Sequence, residues 1–271
     1  MSNYPLDILL GKVSKNHKMI TKAYIHEYGN GKLEPEHLDV KTVLESRGIN
    51  SELFTTKRLR RNQLVLDKHT LIVGDHPTIE TVFKRIDYSK KGSSYPLSLR
   101  KYLKRSIWES SLRNLLREAH SKDILNIFIK PKLKDKLFTG FIVQSNTDLI
   151  KLHGISKHTD LYCSTVVNWR SEYRVFVNQS KIVGVKHYAG DRSLTLNMTE
   201  VKSAIAEFEL SSDRTDGYGI DFGVLANGEI ALVEWNDGFA LGSYGLDGNI
   251  YTDLILSRWE EILKETFATK T

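Results

Sequence analysis

Apolar and polar positions change their rhythm along this chain of 271 residues. In the first 90 residues, short apolar runs alternate with stretches of helical spacing. Leu6–Leu10 reads as a strand. Met19/Ile20, Ala23/Tyr24 and Glu27/Tyr28 follow helical spacing, and Gly29-Asn30-Gly31 stops that helix. Pro35–Arg47 predicts a second helix, with Leu38, Val43 and Leu44 on one side and Gly48 as its stop. Leu53–Thr56, Leu64–Leu66 and Leu71–Val73 predict strands. Pro77–Ile86 predicts a helix with proline in its first turn and a stripe of Ile79, Val82, Phe83 and Ile86. Such alternation predicts a small open α/β layer.

Tyr88–Pro96 is polar and turn-rich, which makes it the linker candidate and divides the chain into residues 1–95 and 96–271. Ser98 then caps a predicted long amphipathic helix reaching about Ala119. Beyond residue 120 the runs become short, alternating and rich in β-branched and aromatic residues. Strands are predicted over Ile124–Lys130, Phe141–Gln144, Leu161–Val167, Tyr173–Val177, Ile182–His187, Tyr218–Leu225 and Glu229–Trp235. Gln179-Ser180 and Ala226-Asn227-Gly228 sit where hairpin turns belong. Thr199–Phe208 and Ile250–Phe267 read as helices. The larger part is therefore α+β, built on antiparallel strands.

Composition narrows the class. With 40% hydrophobic and 27% charged residues, the chain is neither disordered nor of low complexity. A lone cysteine, Cys163, excludes a disulfide framework and a cysteine-based zinc site, and fits a reducing compartment. No apolar run nears the ~18–20 residues of a membrane span. A soluble, cytoplasmic protein without a membrane partner is expected.

The net charge of +6 is unevenly spread: 22 basic against 13 acidic residues in 1–120 (+9), and 17 against 20 in 121–271 (−3). The densest basic stretch, Lys84–Arg117, reads either as a solvated face or as a stripe that neutralises phosphates, so a nucleic-acid partner stays open.

Three clusters carry chemistry. Tyr218–Val224 and Ala231–Gly238 read as two antiparallel strands. Alternation puts Glu234 and Asn236 on one face, with Asp221 on the neighbouring strand able to face them. Two carboxylates and an amide oxygen make a hard-oxygen site suited to Mg²⁺, unless the acids merely face water. Eight of the 18 glycines fall between 217 and 248, where backbone would approach a ligand. In the second cluster, Lys130 ends the apolar strand Asn126–Lys130, and a lysine-rich loop closes at Phe138-Thr139-Gly140. Buried there, a lysine wants a fixed anion such as a phosphate; otherwise the segment is an exposed strand end followed by a solvated loop. In the third, Arg174 shares a face with Glu172 and Phe176, and suits bidentate binding of phosphate or carboxylate, or an ion pair within the sheet.

In this order the clusters resemble the ATP-grasp superfamily. The fuller pattern comprises Tyr95-Pro96-x-Ser98-Leu99, Phe128-Ile129-Lys130-Pro131, Glu172–Val177 and Val233–Phe239. It is similar to a branch of small bacterial and phage ATP-grasp proteins. The resemblance covers roughly residues 98–271 and implies an ATP-grasp fold, antiparallel sheets with helices, preceded by a small α/β lobe. It implies ATP and Mg²⁺ as cofactors. Lys130 would bind the α- and β-phosphates, Lys136 would be the loop lysine nearer the γ-phosphate, and the backbone of Ser164, Thr165, Val166 and Val167 would read the adenine edge. Arg174 would meet the transferred phosphate or a substrate carboxylate. Asp221, Glu234 and Asn236 would hold the metal, and Asn236-Asp237-Gly238 would continue into the acceptor pocket. Two features depart from the family pattern: the loop Lys132–Gly140 is lysine-rich, and no acidic residue stands near Ser164.

The activity so implied is a carboxylate–amine ligase that forms a C–N bond through an acyl phosphate and releases ADP and phosphate. Its partners would be ATP, a carboxylate and an amine, drawn from amino acids, peptides or proteins. An ATP-grasp kinase or phosphotransferase, or a basic nucleic-acid-associated module with a vestigial nucleotide site, are the alternatives.

Overall fold

A computed structural model describes residues 19–121, 126–132 and 137–268. The predicted strand Leu6–Leu10 and the loop lysine Lys136 lie outside the described residues. The chain forms two compact units, one from Met1–Tyr102 with Arg170–Thr271 and the other from Leu103–Trp169.

The first unit begins with a parallel layer. Strands β1 (Lys22–His26), β2 (Asn50–Phe54) and β3 (Thr70–Val73) pair in the order β2-β1-β3, with α1 (Pro35–Ser46), α2 (Thr56–Arg60) and α3 (His76–Ile86) between and after them. This is the expected open α/β lobe, with local corrections. Lys22–His26 is a strand where helical spacing was expected. Ala23, Tyr24, Ile25 and His26 are all buried, because a central parallel strand is covered on both faces. Leu64–Leu66 is irregular, and Thr56 opens a short helix rather than ending a strand.

The unit continues with a four-stranded antiparallel sheet of order β11-β10-β8-β9, formed by β8 (Trp169–Asn178), β9 (Lys181–Gly190), β10 (Gly217–Leu225) and β11 (Ile230–Asp237). Helices α5 (Met198–Glu209) and α6 (Gly248–Ala268) complete it. One apolar core joins the parallel layer to α6: Ile25, Val40, Leu71, Ile79, Leu254, Trp259 and Ile262 pack in the same cluster, with Phe176 and Phe239 from the antiparallel part.

This shared core explains why the units do not divide at residue 95. Tyr88–Pro96 is no spacer but is packed into the first unit. Gly92, at φ +78°, lies against the Trp235 ring, the Ser94 carbonyl accepts from the Trp235 amide at 2.9 Å, and Lys91 pairs with Glu265 at 2.8 Å.

The second unit has a four-stranded sheet of order β4-β7-β5-β6: β4 (Ile107–Ser111), β5 (Ile127–Pro131), β6 (Phe141–Val143) and β7 (Asp160–Thr165). Helix α4 (Leu112–Ser121) covers a core of Leu112, Leu115, Ile129, Val143, Leu161 and Cys163. The single helix expected over Ser98–Ala119 is thus three elements: a 3₁₀ helix over Leu97–Tyr102, strand β4 and helix α4. Lys104, at φ +51°, sits where the first of these ends. The basic residues from Lys84 to Arg117 are accordingly distributed over α3, the 3₁₀ helix, α4 and the segments between them (Lys90, Lys91, Lys104 and Arg105) rather than along one helix face. No helix among the described residues is long and apolar enough to cross a membrane.

Candidate functional site

The antiparallel sheet of the first unit gathers the third cluster and the metal-type residues. On the hairpin β10–β11, Asp221 lies directly opposite Glu234 and Gly219 opposite Asn236, so the two acids and the amide share one face; alternation puts Glu234 and Asn236 together, and a bulge between Asp221 and Phe222 brings Asp221 into register with them. Arg174 reaches this face from the adjacent strand β8. Its Nε donates to Asp221 Oδ1 at 2.8 Å and its Nη2 to Asp221 Oδ2 at 2.7 Å. The Asn236 amide also donates to Asp221 Oδ2, at 3.3 Å. Both members of the ion pair are buried, with side-chain exposures of 7% and 3%. The fork is made with Asp221 and not with Glu172 on its own strand. Glu172 instead accepts from the Tyr188 hydroxyl at 3.0 Å.

Burial pushes the Asp221 carboxyl up to about 6; Arg174 pulls against that rise, and the neighbouring charges of Glu234 and Glu172 add to it. For Arg174, burial opposes the charge and Asp221 outweighs it, so the guanidinium is held charged. Above it lies the Tyr244 ring, 4.9 Å from the guanidinium carbon, and Tyr244 stacks on Tyr188 at 4.9 Å and 19°. Gly219 makes room for this packing, since a Cβ there would stand 3.1 Å from Arg174 Cδ and 3.1 Å from Leu241 Cδ2. Lys186 lies opposite Arg174 in the β8–β9 register and so shares the face. Tyr188, Tyr244 and Lys186 were not expected. Lys186 is displaced into register by a bulge between Phe176 and Val177, without which the turn at Gln179-Ser180 would pair Arg174 with Val185.

Asp237 points the other way. It is bound by Arg258 of α6 through Nε at 2.6 Å and Nη2 at 2.8 Å, and Arg258 also reaches Glu261 and the Tyr88 hydroxyl. Alternation along β11 accounts for this: Glu234 and Asn236 face the site, while Trp235 and Asp237 are buried on the core side. Asp237 therefore locks α6 to the sheet and does not open into an acceptor pocket.

In the second unit, Lys130 is half-buried on β5 opposite Tyr162 of β7. Gly140 fits tightly beneath it, since a Cβ there would come within 2.5 Å of the Phe128 ring and 3.1 Å of Lys130 Cβ. Ser164 and Thr165 end β7, the central strand between β4 and β5, and the Thr165 amide donates to the Ser106 carbonyl at 3.1 Å. Val166 and Val167 lie beyond the strand. Cys163 is buried, and burial pushes its thiol up to about 11, so it packs rather than reacts.

The model of an ATP-grasp domain family, the second family of its clade, matches residues 102–254, more than half of the chain. The chain belongs to this family. No curated protein matches it by sequence. Among solved structures, the ATP-grasp chain resembles D-alanine–D-alanine ligase from Bacillus anthracis complexed with ATP, at TM-score 0.53 and 12% identity, covering 92% of this chain and 99% of that one. It also resembles N5-carboxyaminoimidazole synthase from Aspergillus clavatus in complex with ADP and 5-aminoimidazole ribonucleotide, at TM-score 0.50 and 14% identity, with coverage of 88% and 77%. A third is N5-carboxyaminoimidazole synthetase from Staphylococcus aureus, at TM-score 0.51 and 8% identity, with coverage of 89% and 77%. These likenesses show the ATP-grasp fold.

The donor set also fits the metal that ATP-grasp domains typically use. Among the described residues no three His, Cys, Asp or Glu side chains form a metal-holding group. Magnesium, however, takes one or two carboxylates and completes its shell with phosphate oxygens and water. Asp221 and Glu234, paired across the hairpin with the Asn236 amide beside them, supply that number. The charges of Glu234 and Glu172 both act on Asp221, against that of Arg174, so carboxylate charge is concentrated around this donor set.

Proposed function

We propose that the chain is an ATP- and Mg²⁺-dependent carboxylate–amine ligase. The observation that carries the reading is the buried Arg174–Asp221 fork beside Glu234 and Asn236, on the sheet face of an ATP-grasp domain. The fork occupies Nε and Nη2 of Arg174, and Nη1 has no protein partner among the described residues. Gly242 lies near it, 3.9 Å from Nη1 to an added Cβ. Arg174 thus presents one fixed N–H edge for a phosphoryl or carboxylate oxygen. Lys130 would hold the α- and β-phosphates, Lys136 the γ-phosphate, and the backbone of Ser164–Val167 the adenine edge. Asp221, Glu234 and Asn236 would hold magnesium, which when bound supplies charge neutralisation on the phosphates.

With these groups in place, the terminal phosphoryl of ATP passes to a carboxylate, and an amine attacks the acyl carbon and expels phosphate. The protein contributes position and positive charge, and no covalent nucleophile is required. The lone buried Cys163 supports a cytoplasmic setting.

Titration of a non-hydrolysable ATP analogue, with and without Mg²⁺, into wild type and Glu234→Ala tests the site. Magnesium-dependent binding lost in the variant is expected, and absence of binding to folded wild type would remove the reading. ADP release that requires both a carboxylate and an amine then identifies the ligase. Release with a single acceptor would make it a kinase, and salt-dependent polynucleotide binding that survives Glu234→Ala would make it a nucleic-acid module.

A further inference from the structure

The parallel layer of the first unit carries a cavity of its own. The carboxyl ends of β1 and β2, the start of α2 and the β3–α3 turn enclose about 430 Å³, a volume suited to a small molecule. In an open parallel sheet this edge is where ligands bind.

The charged groups around it are of two kinds, the cations of α2 and the carboxylates of Asp75 and Glu27, the latter already accepting from the Gly31 amide at 2.5 Å. From α2, Lys57 and Arg60, three residues apart on one side of the helix, line the cavity, and neither side chain has a hydrogen-bond or ion-pair partner among the described residues. From the start of α3, Asp75 is held by the Tyr28 hydroxyl at 3.1 Å and the Thr78 amide at 3.0 Å, and no Lys or Arg pairs with it among the described residues. Between α2 and α3 sits His26, 3% exposed, with Thr56 Oγ1 at 2.9 Å and Thr78 Oγ1 at 3.5 Å from its two ring nitrogens. A purely anionic ligand would satisfy the cations and meet the Asp75 carboxylate. A purely cationic one would do the reverse. A ligand bearing both charges a few bonds apart satisfies both sides.

We propose that this cavity binds a free amino acid, its carboxylate toward Lys57 and Arg60 and its ammonium toward Asp75. The segment after β11 ties this edge to the Arg174 site. Phe239 lies against His76 at the start of α3, at 5.3 Å between ring centroids, and the Ser243 amide donates to Glu36 in the first turn of α1 at 3.3 Å. The next residue, Tyr244, covers Arg174. The assignment of the bound amino acid as the amine substrate rests on the ligase reading, whereas its binding does not.

The test is calorimetric titration of nucleotide-free protein with the common amino acids in both enantiomeric forms, then with the N-acetyl and carboxamide derivatives of the tightest, and with inorganic phosphate. Binding of an amino acid is expected, weakened about tenfold or more by either derivatisation and by Arg60→Gln, Lys57→Met or Asp75→Asn. Asp75→Asn keeps an N-cap acceptor, and thermal melts establish that each variant is folded. The proposal is overturned if no amino acid binds, if phosphate or the N-acetyl form binds as tightly, or if the variants bind like wild type. Titration of the ATP analogue into the same samples separates the two readings, because loss of the nucleotide site leaves amino-acid binding intact and the reverse also holds.

Discussion

Replacing Arg174 by Met removes the charge of a buried pair while keeping much of the side-chain volume. In Arg174→Met, the Asp221 carboxylate stays in a site with 3% side-chain exposure, beside Glu234 and Glu172, without its counter-charge. Removing one partner of a buried pair typically costs about 3–5 kcal/mol. Here protonation limits the cost. Asp221 already titrates at about 6 with Arg174 present, so without it the carboxyl rises further and holds its proton at neutral pH. A carboxyl raised in the folded state contributes stability that is present below its unfolded pKa and is lost as pH climbs through the folded value. In the variant that loss continues above pH 6, where wild type has already given up the proton. The stability gap should therefore widen by about 1.4 kcal/mol per pH unit, or about 3 kcal/mol between pH 6 and pH 8. Urea unfolding followed by tryptophan fluorescence at pH 5, 6, 7 and 8 measures it. Adding Asp221→Asn to Arg174→Met should restore much of the loss at pH 8 and flatten the slope. A variant within about 0.5 kcal/mol of wild type at pH 8, or a gap independent of pH, would refute the argument.

Three further outcomes follow from the same geometry. Gly219→Ala places a methyl 3.1 Å from both Arg174 Cδ and Leu241 Cδ2, so it should cost about 1–3 kcal/mol and weaken binding of the ATP analogue, read by urea unfolding and calorimetry. Arg258→Met strands Asp237 on the core side, where Arg258 is fully buried, and should cost about 3–5 kcal/mol in urea unfolding, with Asp237→Asn in the same chain recovering part of it. Burial lowers the pKa of both His26 and His37, so their contribution is present above the unfolded value near 6.5 and is lost as pH falls through the folded values. Unfolding should become easier below pH 6.5, and His26→Gln with His37→Gln should reduce that dependence in thermal melts.

What the chain alone reveals depends on how locally each feature is encoded. α1, α3 and α6 are legible because a proline, a glycine stop or a sustained apolar period belongs to one element. β1 is not, because five residues with four buried in succession carry no period, and a short buried strand then reads like a turn of helix. The expected helix over Ser98–Ala119 fails for the opposite reason: the apolar spacing is real but is contributed by a 3₁₀ turn, a strand and a helix. β4 becomes a strand only through pairing with β7, about fifty residues away. The site divides similarly. Glu234 and Asn236 are legible as neighbours on one face from the alternation of β11, but their meeting with Asp221 is not, because a bulge between Asp221 and Phe222 shifts the register and without it the turn would pair Asp221 with Val233. The Arg174–Asp221 fork is not legible either, because it joins strands 47 residues apart in sequence. Nor is Lys186, since a single bulge decides whether it or Val185 faces Arg174.

The strand β11 shows how the candidate site can be both charged and fixed. Its alternation sends Glu234 and Asn236 to one face, and Trp235 and Asp237 to the other. Each face has its own arginine. Arg174 comes from the neighbouring part of the sheet and meets the hairpin at Asp221, and Arg258 comes from α6 and meets it at Asp237. Trp235 adds contacts to Phe208 and Tyr218. A carboxylate pair on an unsupported hairpin could relieve its repulsion by bending away. Here the core-side fork and the tryptophan hold the strand in place, so Glu234 and Asn236 keep their positions beside Asp221. The buried Arg258–Asp237 pair thus belongs to the same device as the donor set on the opposite face. A double-mutant cycle between Arg258→Met and Glu234→Gln, read by magnesium-dependent binding of the ATP analogue, should show a coupling above about 0.5 kcal/mol. Additive effects would mean that the two faces of β11 act independently.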